Sequence, residues 1–244
     1  MDSDASKNRT HIDVSKTKIS WGNLIIGMGI MIVLPAAILF GSSGRLDWEF
    51  GWFYVGLTAV FTVGSRIIMA YKTPDLIAER GGSLLKENIK PWDKIIMPLT
   101  LIGPTIMLIV AGLDARFTWS PKFPLPIHVT GIILATAGYF LSSWAMVVNR
   151  FFSASVRIQT ERGHTVISSG PYQYIRHPGY AGGVLSSVAV PLLLGSFWAL
   201  VPAILVIILM VVRTGLEDTT LLEELEGYRK YATSVRHRLI PGAW

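Results

Sequence analysis

The sequence predicts an all-α integral membrane protein, a multi-span helix bundle that ends in a helical hairpin and a cytosolic C-terminal helix. Of the 244 residues, 51% are hydrophobic and only 16% are charged, and the mean hydropathy is +0.47. A soluble domain carries about 25% charged residues. Long stretches also lack Asp, Glu, Lys and Arg altogether, among them 19–44, 95–113 and 178–212. Each is long enough for a membrane-spanning helix of about 20 residues.

The apolar stretches predict six membrane helices in order along the chain. We expect them at 22–41, 50–71, 95–113, 127–149, 179–194 and 197–214. The last two would form a hairpin, because Pro191 and Gly195-Ser196 interrupt a stretch that is too long for one helix. One long kinked helix is the alternative, since membrane helices tolerate Gly and Pro. The acidic segment after Arg213 predicts a cytosolic helix that continues from the last span and ends before Pro241.

The basic residues predict the orientation in the membrane. Their counts in the successive segments outside the helices are 4, 1, 5, 2, 4 and 5, beginning with Lys7, Arg9, Lys16 and Lys18 before the first helix. This alternation is what the positive-inside rule requires when both termini are cytoplasmic. It also accounts for most of the net charge of +6. The basic balance therefore gives no reason to expect a nucleic-acid partner, whereas membrane lipids are expected neighbours.

The chain divides into three predicted regions: a cytosolic tail at 1–21, N-terminal membrane helices at 22–126, and a core at 127–244 that carries the candidate chemistry. The sequence contains no cysteine, which excludes a disulfide scaffold, a thiolate zinc site and a cysteine nucleophile. It also lacks a His-x3-His pair, so we expect no metal.

The richest polar segment is the loop at 150–180. It holds two histidines and three tyrosines, and loops of this length inside a compact protein are commonly functional. It leads into the start of a membrane helix, where free backbone N–H groups and the helix dipole can hold a carboxylate. Beyond the hairpin, Arg213 and Glu217 are four residues apart and therefore share one helix face.

These segments resemble a known family. The run from Arg176 to Gly182, RHPGYAG, resembles the RHPxYxG motif of the isoprenylcysteine carboxyl methyltransferase (ICMT) family, whose wider superfamily includes phospholipid N-methyltransferases. Gly170-Pro171-Tyr172 is similar to the family's GxY element. Arg213-x3-Glu217-Asp218 and the residues after it resemble the family's tail motif, here through Leu221, Tyr228, Tyr231, Val235, Arg236 and Ile240-Pro241. The resemblance covers about 150–244, whereas 1–126 matches only as generic spans.

The resemblance implies a methyltransferase core at 127–244 that uses S-adenosylmethionine on the cytoplasmic side, under the C-terminal tail. It implies a lipid or lipidated acceptor that enters from the bilayer. Arg213 would contact the carboxylate of the acceptor. Asp218 is one methylene shorter than the family's second acid, and its role is open. The implied cofactor-binding residues are Gln159, His164, Thr165, Val166, Ile167, Tyr172, His177, Pro178, Gly179, Tyr180 and Glu217.

The residue types suit this chemistry. Glu217 can pair with the ammonium of the cofactor, and Val166, Ile167 and tyrosine rings can flank adenine. A carboxylate acceptor has an ordinary pKa near 4 and needs no general base. An amine acceptor would have to lose a proton, to His177, Glu217 or Asp218. Tyr228 and Tyr231 are expected to pack the tail onto the membrane domain.

Three other functions compete with this one. The nearest is N-methylation of a phospholipid headgroup. An NADPH-dependent sterol-type membrane reductase resembles the tail, but Glu217 and Asp218 would repel the phosphates of that cofactor. A scaffold or transporter without enzymatic activity is the third. The helices hold few ionisable residues apart from Arg66 and His128, so they offer no evident ion path. Arg66 is expected to extend its charge toward the cytoplasmic interface.

Overall fold

A computed structural model describes residues 20–82, 86 and 88–244. The predicted N-terminal tail and its four basic residues lie outside the described residues, except for Ser20 and Trp21. The described residues contain eight α-helices and no strand. The helices are α1 (Trp21–Ser43), α2 (Glu49–Lys72), α3 (Pro74–Gly82), α4 (Asp93–Phe117), α5 (Leu125–Val148), α6 (Pro178–Leu194), α7 (Leu200–Glu224) and α8 (Tyr228–Ser234).

Five of these helices, α1, α2, α4, α5 and α7, are long and apolar enough to cross a membrane. The sixth apolar helix, α6, has 17 residues. Many of their large apolar side chains face outward, for example Ile25 at 61% and Leu205 at 58% exposure. So much exposed apolar surface is unfavourable in water and favourable against lipid. The predicted all-helical, multi-pass membrane fold is confirmed, and the side on which the termini lie stays a prediction.

The chain around the predicted hairpin differs in detail from expectation. Pro191 lies inside α6, and the helix ends at Gly195, which adopts the left-handed conformation (φ 71°) that glycine tolerates. α7 begins only at Leu200, so the structure has two helices here instead of one kinked helix. The predicted continuation of the last span into a helix after Arg213 is confirmed. α7 runs without a break from Leu200 to Glu224, about ten residues beyond the end expected for the apolar span near 214.

Two more elements were not expected. The predicted single cytosolic helix after Arg213 is divided, because Gly227 adopts a left-handed conformation (φ 81°) that interrupts the helix between α7 and the short α8. The segment at 72–94, expected as a loop, contains α3. Pro74 suits the first position of that helix, because proline has no backbone N–H to leave unpaired there.

α5 and α6 pack closely through small residues. A Cβ atom added to Gly138 would lie 2.4 Å from the Ser186 Oγ and 2.7 Å from the Gly182 carbonyl oxygen. Such close approach of backbones is typical of helix pairs in membranes, where small residues replace hydrophobic burial as the source of contact. It fixes the start of α6, which follows the RHP motif, against the end of α5, from which the 150–180 loop departs.

The opposite end of the bundle is fixed by the buried Asp114 of α4. Its carboxylate accepts hydrogen bonds from the Ser120 N–H (2.7 Å), the Ser120 hydroxyl (2.5 Å) and the Ser196 hydroxyl (2.5 Å). These bonds join the α4–α5 connection to the α6–α7 connection. Exposed aromatic side chains surround this end, as at the boundary between a membrane and water; they include Phe117, Trp119, Phe197 and Trp198.

The two ionisable residues singled out within the spans have local contacts. His128 is buried, its Nδ1 lies 2.9 Å from the Leu193 carbonyl oxygen, and its ring stacks on Phe50 at 3.7 Å. Arg66 donates from Nη2 to the Met31 sulfur at 3.2 Å. His128 therefore helps to join α5 to α6 and α2, and Arg66 contacts α1.

We expect Gly138→Ala to destabilise the protein, because the new methyl group would overlap the backbone of α6. Overpacking of this kind costs about 1–3 kcal/mol. The matched control is Gly64→Ala in α2, where nothing lies within 4 Å of the added Cβ. In detergent, the thermal unfolding midpoint of Gly138→Ala should lie below that of the wild type. The midpoint of Gly64→Ala should not be lowered. Equal midpoints for the two variants would contradict the close α5–α6 contact.

Candidate active site

One end of the bundle encloses a cavity of about 280 Å³ between α4, α6, α7, the 150–177 loop and the tail. Every site residue that the sequence predicts lines it, except Pro178. That proline is fully buried at the start of α6, where its ring begins the helix. The residues brought together are Gln159, His164, Thr165, Val166, Ile167, Tyr172, His177, Gly179, Tyr180, Arg213 and Glu217.

Arg213 and Glu217 reach the cavity from successive turns of α7, with Tyr180 of α6 between them. The Tyr180 hydroxyl donates a hydrogen bond to the Glu217 Oε2 at 2.6 Å. The Arg213 guanidinium lies over the Tyr180 ring, 5.6 Å from its centroid, as in a cation–π contact. On this wall of the cavity, the Arg213 cation and the Glu217 anion thus lie on either side of an aromatic ring.

Arg213 has a partner that the sequence reasoning did not identify. Its Nε and Nη2 donate to the two carboxylate oxygens of Asp93, at 2.7 and 3.0 Å, and Nη2 also donates to the Ala154 carbonyl oxygen at 2.6 Å. Asp93 is fully buried at the first position of α4 and also accepts the Val156 N–H at 2.6 Å. Asp93 and Arg213 are 120 residues apart, so spacing gives no signal. An acid at the start of a predicted helix is the one local hint.

Asp218, whose role the sequence left open, lies at the centre of a buried polar cluster. Its Oδ1 accepts from the Arg176 Nε (2.8 Å), the Tyr228 hydroxyl (2.8 Å) and the His177 Nε2 (3.0 Å). Its Oδ2 accepts from the Arg176 Nη2 and the Arg238 Nε, both at 2.8 Å. Burial and the Asp218 carboxylate together raise the pKa of Tyr228 above its ordinary value. Asp218 therefore joins α7, the RHP motif and the tail.

Further bonds hold the tail across the mouth of the cavity. The Arg176 backbone N–H donates to the His237 carbonyl oxygen at 2.9 Å, and its Nη1 donates to that of Val235 at 3.0 Å. The Tyr231 hydroxyl donates to the Tyr172 carbonyl oxygen at 2.6 Å. Tyr228 and Tyr231 are buried and line the cavity, so their predicted packing role is confirmed.

The loop side of the cavity is built around Gln159. Its side chain is 1% exposed, donates to the Phe151 carbonyl oxygen at 2.7 Å, and accepts from Arg162. Its backbone N–H donates to the His164 Nδ1 at 3.3 Å. Burial, reinforced by the charges of Arg162 and Arg157, lowers the pKa of His164 to about 4. His164 is therefore a neutral imidazole at pH 7, and its amide partner leaves the proton on Nε2.

Ion pairs tie this loop to α3. Arg157 is buried against Glu79, with Nη2 2.7 Å from Oε1. The Asp75 carboxylate lies 2.5 Å from Arg162 and 3.3 Å from Arg150. The hydrogen bonds and charges of these two arginines outweigh burial and lower the pKa of Asp75. α3 thus supports the loop from behind and leaves its other side free to line the cavity.

Residues 131–223 match the isoprenylcysteine carboxyl methyltransferase (ICMT) family. This match confirms the resemblance expected from the RHP and Arg213 motifs. It spans most of α5, the whole 150–177 loop, α6 and nearly all of α7. Asp93 and the tail residues that contact Asp218 lie outside it. No curated protein gives a significant match to the chain. The ICMT match and the apolar helices together imply a multi-pass membrane methyltransferase.

We expect the stability of the protein to fall between pH 6.5 and pH 4, in part through His164. The unfolded chain takes up a proton at an ordinary histidine pKa near 6.5, whereas folded His164 does so only near pH 4. Within that window the unfolded state binds more protons, so acid favours unfolding.

His164→Asn keeps an acceptor for the Gln159 N–H and removes the titration. The unfolding midpoint in detergent should therefore drop less between pH 7.5 and pH 5 in the variant than in the wild type. An identical pH dependence in both proteins would show that His164 is not held neutral.

Proposed function

We propose that this protein uses S-adenosylmethionine to methylate the carboxylate of a lipid-embedded acceptor, such as the C-terminus of an isoprenylated cysteine. The observation that carries the proposal is the pair on α7. Arg213 and Glu217 lie one helical turn apart and face the same cavity, so a cationic donor and an anionic acceptor can be held side by side. The cytoplasmic location of the cavity is the prediction made from the basic loops.

The residues that line the cavity suit the methyl donor, S-adenosylmethionine. The Glu217 Oε2 accepts from Tyr180, and its Oε1 has no hydrogen-bond partner among the described residues, so it is available to an ammonium group. Val166, Ile167 and Phe151 supply apolar wall for adenine. Neutral His164 can donate from Nε2 to a ribose oxygen. His177 can offer Nδ1, since its Nε2 lies against Asp218.

The acceptor would reach the cavity from the lipid. Three lining residues, Thr100, Leu101 and Met210, come from the membrane part of α4 and α7. Leu101 is 52% exposed on the outer surface of the bundle. Arg213 follows Met210 by about one turn of α7. An apolar chain that lies between α4 and α7 would thus bring its carboxylate end to Arg213.

When bound, S-adenosylmethionine would supply an electrophilic methyl group: a carboxylate oxygen would form the new O–C bond as the C–S bond breaks, and S-adenosylhomocysteine would leave with the electron pair of that bond. Arg213 would bind the acceptor carboxylate and direct one oxygen toward that methyl group. The carboxylate is already ionised near neutral pH, so no residue has to remove a proton. Phe151, Phe152 and the tail tyrosines line the cavity, and these aromatic walls would strip the nucleophile of its hydration. The contribution of the site is thus alignment and desolvation.

An amine acceptor fits the same cavity less well. Arg213 is permanently charged and would repel a protonated amine. The amine would also need a base. Both Asp218 oxygens are already bonded to Arg176 and other hydrogen-bond donors, and our proposal assigns Glu217 and His177 to S-adenosylmethionine. For the reductase alternative, Glu217 would face the phosphates of NADPH. These contacts favour a carboxylate acceptor and a cationic donor.

We expect Arg213→Ala and Glu217→Gln to separate the two functions. Arg213→Ala should lower the kcat/KM for a farnesylcysteine acceptor by about 100-fold or more, because it removes a charge-assisted contact to the carboxylate. It should leave the affinity for S-adenosylmethionine within about twofold. Glu217→Gln should weaken S-adenosylmethionine binding about tenfold or more.

Calorimetric titration in detergent and a labelled-methyl assay measure the two quantities. Lys230→Ala, which removes an exposed cation of α8 outside the family motif, is the control and should change neither. Saturable binding of NADPH without binding of S-adenosylmethionine, or loss of donor affinity in Arg213→Ala, would contradict the proposal.

A further inference from the structure

We propose that Asp93 is a positioning residue of this reaction: it holds one edge of the Arg213 guanidinium so that the other edge faces the acceptor carboxylate. The inference rests on the proposed function and extends it to a residue outside the region that matches the ICMT family. It also names a second task for Asp93, which is to keep Arg213 away from Glu217.

The geometry defines which edge is occupied. The Asp93 carboxylate accepts two hydrogen bonds from Arg213, from Nε at 2.7 Å and from Nη2 at 3.0 Å. The Ala154 carbonyl oxygen also accepts a hydrogen bond from Nη2. The remaining nitrogen, Nη1, makes no hydrogen bond with the described residues. Arg213 lines the cavity and Asp93 does not. A guanidinium is planar and rigid, so fixing one edge fixes the direction of the other.

Glu217 is the competing partner. An Arg and a Glu four residues apart on a helix readily form an ion pair. In such a pair, Glu217 would no longer be available to S-adenosylmethionine, and Arg213 would no longer be available to the acceptor carboxylate. In the structure this pair is absent, because Asp93 holds Arg213 on one side and Tyr180 binds the Glu217 Oε2 at 2.6 Å on the other. Asp93 therefore keeps the two charges available for different ligands.

Asp93 is well placed to act as a fixed anchor. It is fully buried at the start of α4, where the helix dipole favours a carboxylate. The Val156 N–H bonds it at 2.6 Å, and the Lys90 N–H bonds the Val156 carbonyl oxygen at 3.1 Å. These bonds admit a plainer alternative, in which Asp93 only supports the loop at 153–158. The two roles differ in what they do to ligands.

The experiment compares a carboxylate ligand with its uncharged analogue. Asp93→Asn is tested in the full-length protein in detergent with S-adenosylmethionine, farnesylcysteine and farnesylcysteine carboxamide. We expect the affinity for S-adenosylmethionine to stay within about twofold. We expect the KM for the carboxylate acceptor to rise at least about tenfold, and competitive inhibition by the carboxamide to stay unchanged.

The matched control is Asp114→Asn, which alters an equally buried aspartate of the same helix at the far end. It should lower the unfolding midpoint without changing the preference for carboxylate over carboxamide. Asp93→Glu keeps the charge but moves it by one methylene, and it should give an intermediate KM. If Asp93→Asn fails to fold, Asp93→Glu is used to test the inference in its place.

Three outcomes would overturn the inference. One is an unchanged KM for the carboxylate in both Asp93 variants. Another is an equal loss for carboxylate and carboxamide. The third is a parallel loss of S-adenosylmethionine affinity, which a supporting role for the loop would produce. A wild-type protein that methylates no carboxylate acceptor would overturn the proposed function itself. If the wild type turns over the carboxylate acceptor normally and the Asp93 variants have the same KM for it, only the inference would be overturned.

Discussion

The arrangement of the cavity depends on one buried carboxylate. Asp218 accepts hydrogen bonds from Arg176 and His177 before α6, and from Tyr228 and Arg238 in the tail. A buried carboxylate is costly unless every lone pair is used, and here five donors use them. The same interaction fixes the RHP motif against α7 and holds the tail over the cavity. Without it, the buried Arg176 guanidinium would lose its carboxylate partner, a more costly state than the pair itself.

The uninterrupted α7 distributes its charges by helix geometry. Neighbouring residues on an α-helix point about 100° apart. Asp218 can therefore face the polar cluster while Glu217, beside it in sequence, faces the cavity. Arg213 lies one turn earlier and is held from the opposite side by Asp93. The two aspartates hold the framework, and Arg213 and Glu217 keep atoms available for ligands. The family's tail motif thus combines a structural acid and a proposed donor-binding acid in adjacent positions.

Much of the fold could be predicted from the sequence, because membrane helices are set by local hydropathy. The apolar stretches located the five long helices to within a few residues, and the acidic segment after Arg213 predicted that α7 continues beyond its span. α3 and the division of the tail were missed because both lie beyond the apolar segments, where helix propensity and turn residues such as Gly227 decide the bounds. The break at Gly195 followed from its tolerance of a left-handed conformation, whereas Pro191 fits within α6.

The site was predicted less completely. The motif residues from Gln159 to Tyr180 meet Arg213 and Glu217 in one cavity, as order along the chain suggested. The side-chain partners could not be predicted. Asp93 is recognisable only once α4 lies beside α7, and Asp218 gained its role through contacts 42 and 20 residues away. The Gln159 side chain forms hydrogen bonds with Phe151 and Arg162 of its own loop, an arrangement that depends on how residues 150–162 fold back on themselves.

The central claim is that Asp218 holds the tail in place and so completes the donor site. Asp218→Asn tests it most directly, with amide hydrogen exchange at 228–239 and the S-adenosylmethionine affinity measured on the same protein. An amide side chain replaces one acceptor by a donor, so exchange in the tail should quicken at least about tenfold and affinity should fall at least about tenfold. The exposed Glu226→Gln should change neither. A variant with a protected tail and wild-type affinity would contradict the account.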